Sequence, residues 1–262
     1  MKKKHAILPL LAMTVLSSCQ NHGQEITGDK TRINELEKDI SWKMNYIKSY
    51  EVHVVADVTK TEAGTDSKYN SDLIYRVDGK GNFFVSASLE YNEVKTERVY
   101  YVVNDSKYDI VVYEDYRVIG AETHEIKVRG VSGYEVTPQF LLPSSLSSSL
   151  REYESIRDPS LYVDRLVDYH PDPTKYYSKG DGNFTIEMSR TEYKGSPDTT
   201  FYCRMTYDNN LLSYAKIEKD GWHVGARTSK EAYEINFKQL DDFSVTLPDD
   251  WEERIKESSS VA

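Results

Sequence analysis

Apolar positions recur along this chain with two different periods, and the change from one to the other marks the elements. Over residues 31–49, Ile33, Leu36, Ile40, Met44 and Ile47 are spaced by three and four, one stripe of an amphipathic helix that Thr31 caps. From Tyr50 the period drops to two. Val52, Val54, Ala56 and Val58 alternate with polar residues, a loop follows over Thr61–Lys68, and Leu73, Tyr75 and Val77 resume the alternation. Asp78-Gly79-Lys80-Gly81-Asn82 predicts a hairpin turn into Phe83, Val85, Ala87 and Leu89. Strands over Val94–Val103, Tyr108–Tyr113 and Glu125–Arg129 complete a meander of about six.

The alternation breaks at Thr137. Thr137-Pro138 starts a helix that carries Phe140, Leu141 and Leu142, and a serine-rich helix follows over about Ser144–Ile156 with Leu146, Leu150 and Tyr153 on one side. Asp158-Pro159 opens a third short helix through Leu161, Leu166 and Val167. A second run of strands then carries Phe184, Ile186 and Met188, Phe201, Cys203 and Met205, Leu212 and Tyr214, Trp222–Arg227, and Tyr233, Ile235 and Phe237. Turns are predicted at Gly180–Asn183, Lys194–Asp198, Asp208–Asn210 and Asp220-Gly221. No fixed-period repeat is present. The predicted fold is mainly β (α+β), a curved antiparallel sheet or half β-barrel of about ten strands with an N-terminal helix and a mid-chain helical lid. Alternation places Val85, Ala87, Phe184, Ile186, Met188, Phe201, Met205, Ile235 and Phe237 inside, with Phe140, Leu142, Leu146 and Leu150 from the lid. Such residues either line a ligand cavity or pack as a filled core, and periodicity alone does not choose.

Taken in order, Ile33–Ile47, Tyr50–Val58, Phe140–Leu166 and Asn236–Pro248, with its closing Phe243-x-Val245-x-Leu247-Pro248, resemble the LolA/LppX/LprG family of half-barrel lipid and lipoprotein carriers. The resemblance lies in order and pattern over nearly the whole chain, without a diagnostic motif. It implies a sheet wrapped around a hydrophobic cavity for acyl chains, plugged by the helices, in a binding protein that performs no chemistry. The 21 tyrosines depart from that pattern. Pairs such as Tyr100-Tyr101 and Tyr176-Tyr177 put a phenol on each face of a strand, which suits polar ligands better than bare acyl chains.

The N-terminus supplies an address. Lys2, Lys3 and Lys4 precede an apolar run from Ala6 to Leu16 that stops at Leu16-Ser17-Ser18-Cys19, similar to a bacterial lipoprotein export signal. The run is too short to span about 30 Å of hydrocarbon and is interrupted by Pro9. The similarity implies cleavage of residues 1–18 and acylation of Cys19, the palmitate-type anchor that holds the protein to the extracytoplasmic face of the cell membrane. Residues 19–31 then read as a flexible tether and 32–250 as a single domain with lid helices at about 138–168. Residues 251–262 form a C-terminal tail in which Asp250 caps a final turn through Trp251 and Ile255.

Loss of the three signal lysines lowers the net charge from −10 to −13 for residues 19–262, which argues against a nucleic-acid partner and leaves membrane attachment to the lipid. The only cysteines are Cys19 and Cys203, so acylation of Cys19 excludes an intramolecular disulfide; Cys203, between Phe201 and Met205, reads as a small core residue.

Candidate chemistry is sparse. No Gly-rich phosphate loop, Gly-x-Ser-x-Gly elbow or His-Glu-x-x-His helix occurs. His22, His53, His124, His170 and His223 are scattered, and His170 with Asp172 lies in a Pro-punctuated corner, so no metal site is expected. Adjacent carboxylates such as Glu114-Asp115 and Asp241-Asp242 point to opposite faces of an extended chain and cannot flank one bond. Neither catalytic residues nor cofactors are expected. The favoured function is a monomeric, membrane-anchored lipoprotein that binds a lipid or other amphiphile without enzymatic activity. The alternative is a surface interaction or sensor lipoprotein with a filled core that docks an envelope protein partner.

Overall fold

A computed structural model describes residues 23–132, 136–157, 174–193, 196–224 and 227–259. Cys19 with the expected export signal, and the third lid helix expected after Asp158-Pro159, lie outside the described residues. Twelve strands form one open, curved antiparallel sheet without barrel closure. They are β1 (Gln24–Glu25), β2 (Tyr50–Glu62), β3 (Thr65–Val77), β4 (Phe83–Tyr91), β5 (Val94–Asp105), β6 (Asp109–Val118) and β7 (His124–Val131), then β8 (Thr174–Gly180), β9 (Asn183–Tyr193), β10 (Ser196–Asp208), β11 (Leu211–Val224) and β12 (Arg227–Gln239). The helices are α1 (Lys30–Tyr46), α2 (Pro138–Leu141), α3 (Ser144–Ile156) and α4 (Trp251–Ser259).

The spatial order is β1-β8-β9-β10-β11-β12-β2-β3-β4-β5-β6-β7. Two meanders, β2–β7 and β8–β12, are therefore joined along one seam, where β12 pairs with β2 from Arg227↔Glu62 to Gln239↔Tyr50. Four hairpins use two-residue turns with positive φ at both positions, Ala63-Gly64, Asn92-Glu93, Asp181-Gly182 and Asn209-Asn210. Such turns match the right-handed twist of the strands they connect.

Several sequence expectations are corrected. The loop expected over Thr61–Lys68 is a two-residue turn, because β2 and β3 stay paired out to Glu62↔Thr65. Both strands project beyond the core there, so polar residues on both faces conceal the ladder. Asp220-Gly221 is not a turn, and Trp222–Arg227 is not a separate strand. The β11 strand runs through to Val224, with its register slipping between Lys219 and Trp222 and Gly221 at φ 69°. Part of the expected tether is sheet, since Gln24 and Glu25 pair with Ser178 and Tyr177 of β8. A Cβ on Gly23 would lie 2.4 Å from the Ser178 carbonyl oxygen, so this docking needs glycine. The N-cap of α1 is Asp29, whose carboxylate accepts from the Arg32 N–H at 3.1 Å, rather than Thr31.

One face of the sheet is apolar nearly from edge to edge. Against it α1 buries Ile33, Ile40 and Met44, and α3 buries Leu146, Leu150, Tyr153 and Ile156. The α1 helix lies against β11, whereas α3 crosses β12, β2 and β3 over the seam. Cys203 is fully buried in the same core. On the opposite face, α4 folds back to cover Val111, Tyr113 and Val128 with Ile255, and Trp251 meets Tyr108 edge-on at 6.3 Å between ring centres.

A buried carboxylate ties the segment before α4 to the sheet. Asp78, only 2% exposed, accepts from the N–H groups of Lys80, Asn82 and Val245 at 2.8, 3.0 and 3.1 Å, and from the Asn82 side-chain amide at 2.9 Å. Burial alone would raise its pKa, but these hydrogen bonds outweigh it and hold the carboxyl below the usual aspartate range. The linked stability is fully present above that range and is lost as pH falls through the lowered folded value. Asp78→Ala is expected to cost about 3 kcal/mol in denaturant unfolding and to speed amide exchange over 243–248. Asp78→Asn should flatten the acid limb of the stability–pH curve; a limb identical to the native protein's would show that the carboxylate charge is immaterial.

Candidate functional site

The site begins with how α3 is held. Its sequence is rich in serine, a weak helix former, so the isolated segment has little reason to be helical and depends on the sheet beneath it. Leu146, Leu150, Tyr153 and Ile156 supply that support. Between them Ser147 and Ser149 are also buried. The Ser149 hydroxyl meets that of Ser71 on β3 at 3.1 Å and reaches the Ser145 carbonyl at 3.3 Å. Arg151 donates to the Ser147 hydroxyl at 3.3 Å. The contact between lid and sheet thus mixes apolar anchors with small hydroxyls.

Two polar clamps flank it. On one side, the Lys219 ammonium of β11 lies 2.6 Å from Glu152 of α3 and 3.8 Å from Glu231 of β12. The Tyr233 hydroxyl donates to Glu231 at 3.0 Å, and burial together with Glu231 pushes the neighbouring Tyr69 phenol up to about 12. On the other side, the Tyr100 hydroxyl donates to Glu114 at 2.9 Å and lies 3.2 Å from the Leu141 carbonyl at the end of α2.

The C-terminal half of α3 rests on an aromatic slot. Tyr50 stacks on Phe237 at 5.5 Å and meets Tyr75 edge-on at 6.1 Å, while Tyr153 lies 6.2 Å from Phe237 and 6.4 Å from Tyr50, so that the rings of Tyr50, Tyr153 and Phe237 form a triangle. Burial pushes the phenols of Tyr75 and Tyr153 well above the usual tyrosine range and raises that of Tyr50, so all three remain neutral O–H groups. Arg157, the residue that ends α3, lies 5.8 Å from the Tyr50 ring centre and donates to the Met44 carbonyl of α1 at 3.0 Å.

Of the residues assigned to a cavity, Val85, Ala87, Leu142, Leu146, Leu150, Phe184, Ile186, Met188, Phe201, Met205, Ile235 and Phe237 are all buried in one continuous cluster, where their side chains contact one another. Phe140 is the correction, being 84% exposed. The α2 helix is a single turn that buries Pro138 and is followed by buried Leu142, which leaves the intervening Phe140 facing outward. Sequence reasoning missed Tyr50, Tyr75, Tyr153, Arg157, Ser71 and Lys219. The abundance of tyrosine was the available signal, but composition cannot say which phenols converge.

A cleft of about 690 Å³ over the central strands is bordered by Asp57, Thr59, Tyr202, Glu218, Asp220 and Lys230 and also reaches the clamp residues Lys219 and Glu231 and the buried Phe201. On its polar side charges pair across strands, as in Lys230–Asp220 at 3.5 Å. No three His, Cys, Asp or Glu side chains converge as a metal site among the described residues.

No family model and no curated protein matches the chain. Among solved structures, LprF from Mycobacterium bovis is similar at 16% identity and a TM-score of 0.34, covering 84% of this chain and 97% of that one. A DUF1329 family protein from Desulfovibrio piger is similar at 13% identity and a TM-score of 0.24, covering 83% and 95%. Neither likeness is close enough to transfer a ligand or an activity.

Removing the ammonium of the first clamp should release the lid. Lys219→Ala leaves Glu152 and Glu231 half-buried without their shared cation, and is expected to cost about 2 kcal/mol and to accelerate amide exchange in α3 more than in β11. Exchange that rises equally in both elements would identify Lys219 as a global stabiliser rather than a clamp.

Proposed function

We propose that this protein is a lipid-anchored, non-enzymatic binding protein that takes up an amphiphile between α3 and the apolar face of the sheet. The observation that carries the reading is the serine-bearing underside of α3. Within a contact where a permanent core would place bulky apolar groups, Ser147 and Ser149 lie buried, and the Ser149 hydroxyl meets that of Ser71. The surface uncovered when α3 lifts is the continuous apolar face that an acyl chain requires.

Magnitudes are compatible with exchange. Lifting α3 exposes four large side chains, at about 1.5–3 kcal/mol each, or about 6–12 kcal/mol altogether. An acyl chain of about sixteen methylenes, at about 0.8 kcal/mol each, restores a similar amount when it takes the place of the lid. The remaining attributes follow the sequence reading: anchorage through an acylated Cys19 at the extracytoplasmic membrane face, a monomeric state, and no nucleic-acid partner. One observation favours the alternative of a protein-docking lipoprotein, namely the outward-facing Phe140 at the start of the lid.

The decisive experiment locks the lid. In a signal-free chain with Cys19 replaced, Ser71→Cys and Ser149→Cys place two thiols where hydroxyls now lie 3.1 Å apart. Native mass spectrometry without detergent should show a releasable lipid mass on the reduced protein and none acquired by the oxidised one. Equal loading in both redox states would refute entry beneath α3. A bare mass in native and variant chains after incubation with host lipid extract would refute the carrier and favour docking.

A further inference from the structure

We propose that the amphiphile is anionic, with its oxyanion headgroup held by the Arg157 guanidinium and the Tyr153 hydroxyl at the C-terminal end of α3. This rests on the carrier reading above and specifies the ligand that reading leaves open.

Tyr153 and Arg157 are four residues apart on α3 and hence one turn apart on the same side. Tyr153 is 1% exposed, yet its hydroxyl has no hydrogen-bond partner among the described residues, and the Arg157 Nε–H is also buried without one there. Each unsatisfied group costs about 1–3 kcal/mol, so two on successive turns are a standing penalty that a bound acceptor would remove. A guanidinium can only donate, and the neighbouring phenols stay protonated, so the slot offers N–H and O–H donors with a positive charge. That set matches a phosphate or carboxylate oxyanion, whose hydrogen bonds to such donors are charge-assisted.

Tyr50, Tyr75 and Phe237 wall the slot and are continuous with the apolar face on which the acyl chain would lie. The competing account makes Arg157 a cap for the end of α1, through its bond to the Met44 carbonyl. That bond uses Nη2 and explains neither the Nε–H nor the Tyr153 hydroxyl. Glu154, the carboxylate whose charge acts on both Tyr50 and Tyr153, accepts from the Gln139 amide and forms no ion pair with Arg157. Arg157 acts on Glu154 as a nearby charge, and among the described residues no carboxylate forms an ion pair with it.

Three probes separate the outcomes in titrations of the detergent-free chain: 1-palmitoyl lysophosphatidic acid, 1-monopalmitoylglycerol and inorganic phosphate. The acyl chain is common to the first two and only the headgroup charge differs. Lysophosphatidic acid is expected to bind at least about tenfold tighter than monopalmitoylglycerol, with no binding of phosphate alone. Arg157→Met should abolish that preference while leaving monopalmitoylglycerol affinity within about twofold, and Tyr153→Phe should reduce the preference by about threefold. Equal affinity for the two lipids in the native chain would overturn the headgroup assignment and leave the carrier standing. No binding of either lipid would overturn both. Phosphate that binds alone and displaces lysophosphatidic acid would reveal a free-anion site and overturn the lipid headgroup. The native-chain comparison decides the matter even if a variant fails to fold.

Discussion

Everything in this molecule follows from a single unclosed sheet that must cover an apolar face. A closed barrel hides its interior by curvature, whereas an open sheet of twelve strands leaves a broad apolar face for other elements to bury. Here two helices from distant parts of the chain supply the cover. The α1 helix is inserted before the first long strand, and α3 lies in the crossover between the two meanders. Neither helix packs a core of its own, so each is stable only to the extent that the sheet accepts it.

The two covers differ in chemistry. The α1 helix presents a plain aliphatic stripe of Ile33, Ile40 and Met44 and is tied by Arg32 to the Ser178 hydroxyl at 2.9 Å. The α3 helix interleaves its anchors with buried serines and ends at two unsatisfied donors. Such features lower the stability of a contact without lowering its specificity, and they concentrate on the helix that crosses the seam between β12 and β2. The buried charge of Asp78 works in the opposite sense, since its carboxylate is fully satisfied and holds the segment at Val245 against the β3–β4 turn. One contact is thus fully satisfied, while that of α3 with the apolar face carries buried hydroxyls and donors unsatisfied among the described residues.

Much of this was legible residue by residue. Alternation located β2 through β7, and Asn209-Asn210 and Gly180–Asn183 announced hairpins because few other residues tolerate positive φ at both turn positions. The errors arose where local chemistry was ambiguous. Thr61–Lys68 is polar because the strand ends project beyond the core, not because the chain leaves the ladder, and Asp220-Gly221 makes a bulge with the same residues that elsewhere make a turn. Phe140 illustrates the other failure: an apolar residue beside Leu141 and Leu142 was assigned inward, but one turn of helix has only one inward side.

Strand periodicity, the hairpins at Gly180–Asn183 and Asn209-Asn210, and the apolar stripes of α1 and α3 depend on neighbours within a few residues, so the local pattern specifies them. Which strands meet across the seam, which helix covers which strands, and the meeting of Tyr50, Tyr75, Tyr153, Phe237 and Arg157 in one slot are set by long-range packing. Those residues come from β2, β3, α3, β12 and the end of α3. Their convergence is a property of long-range pairing and sheet curvature, for which a local pattern of apolar and polar positions carries no record.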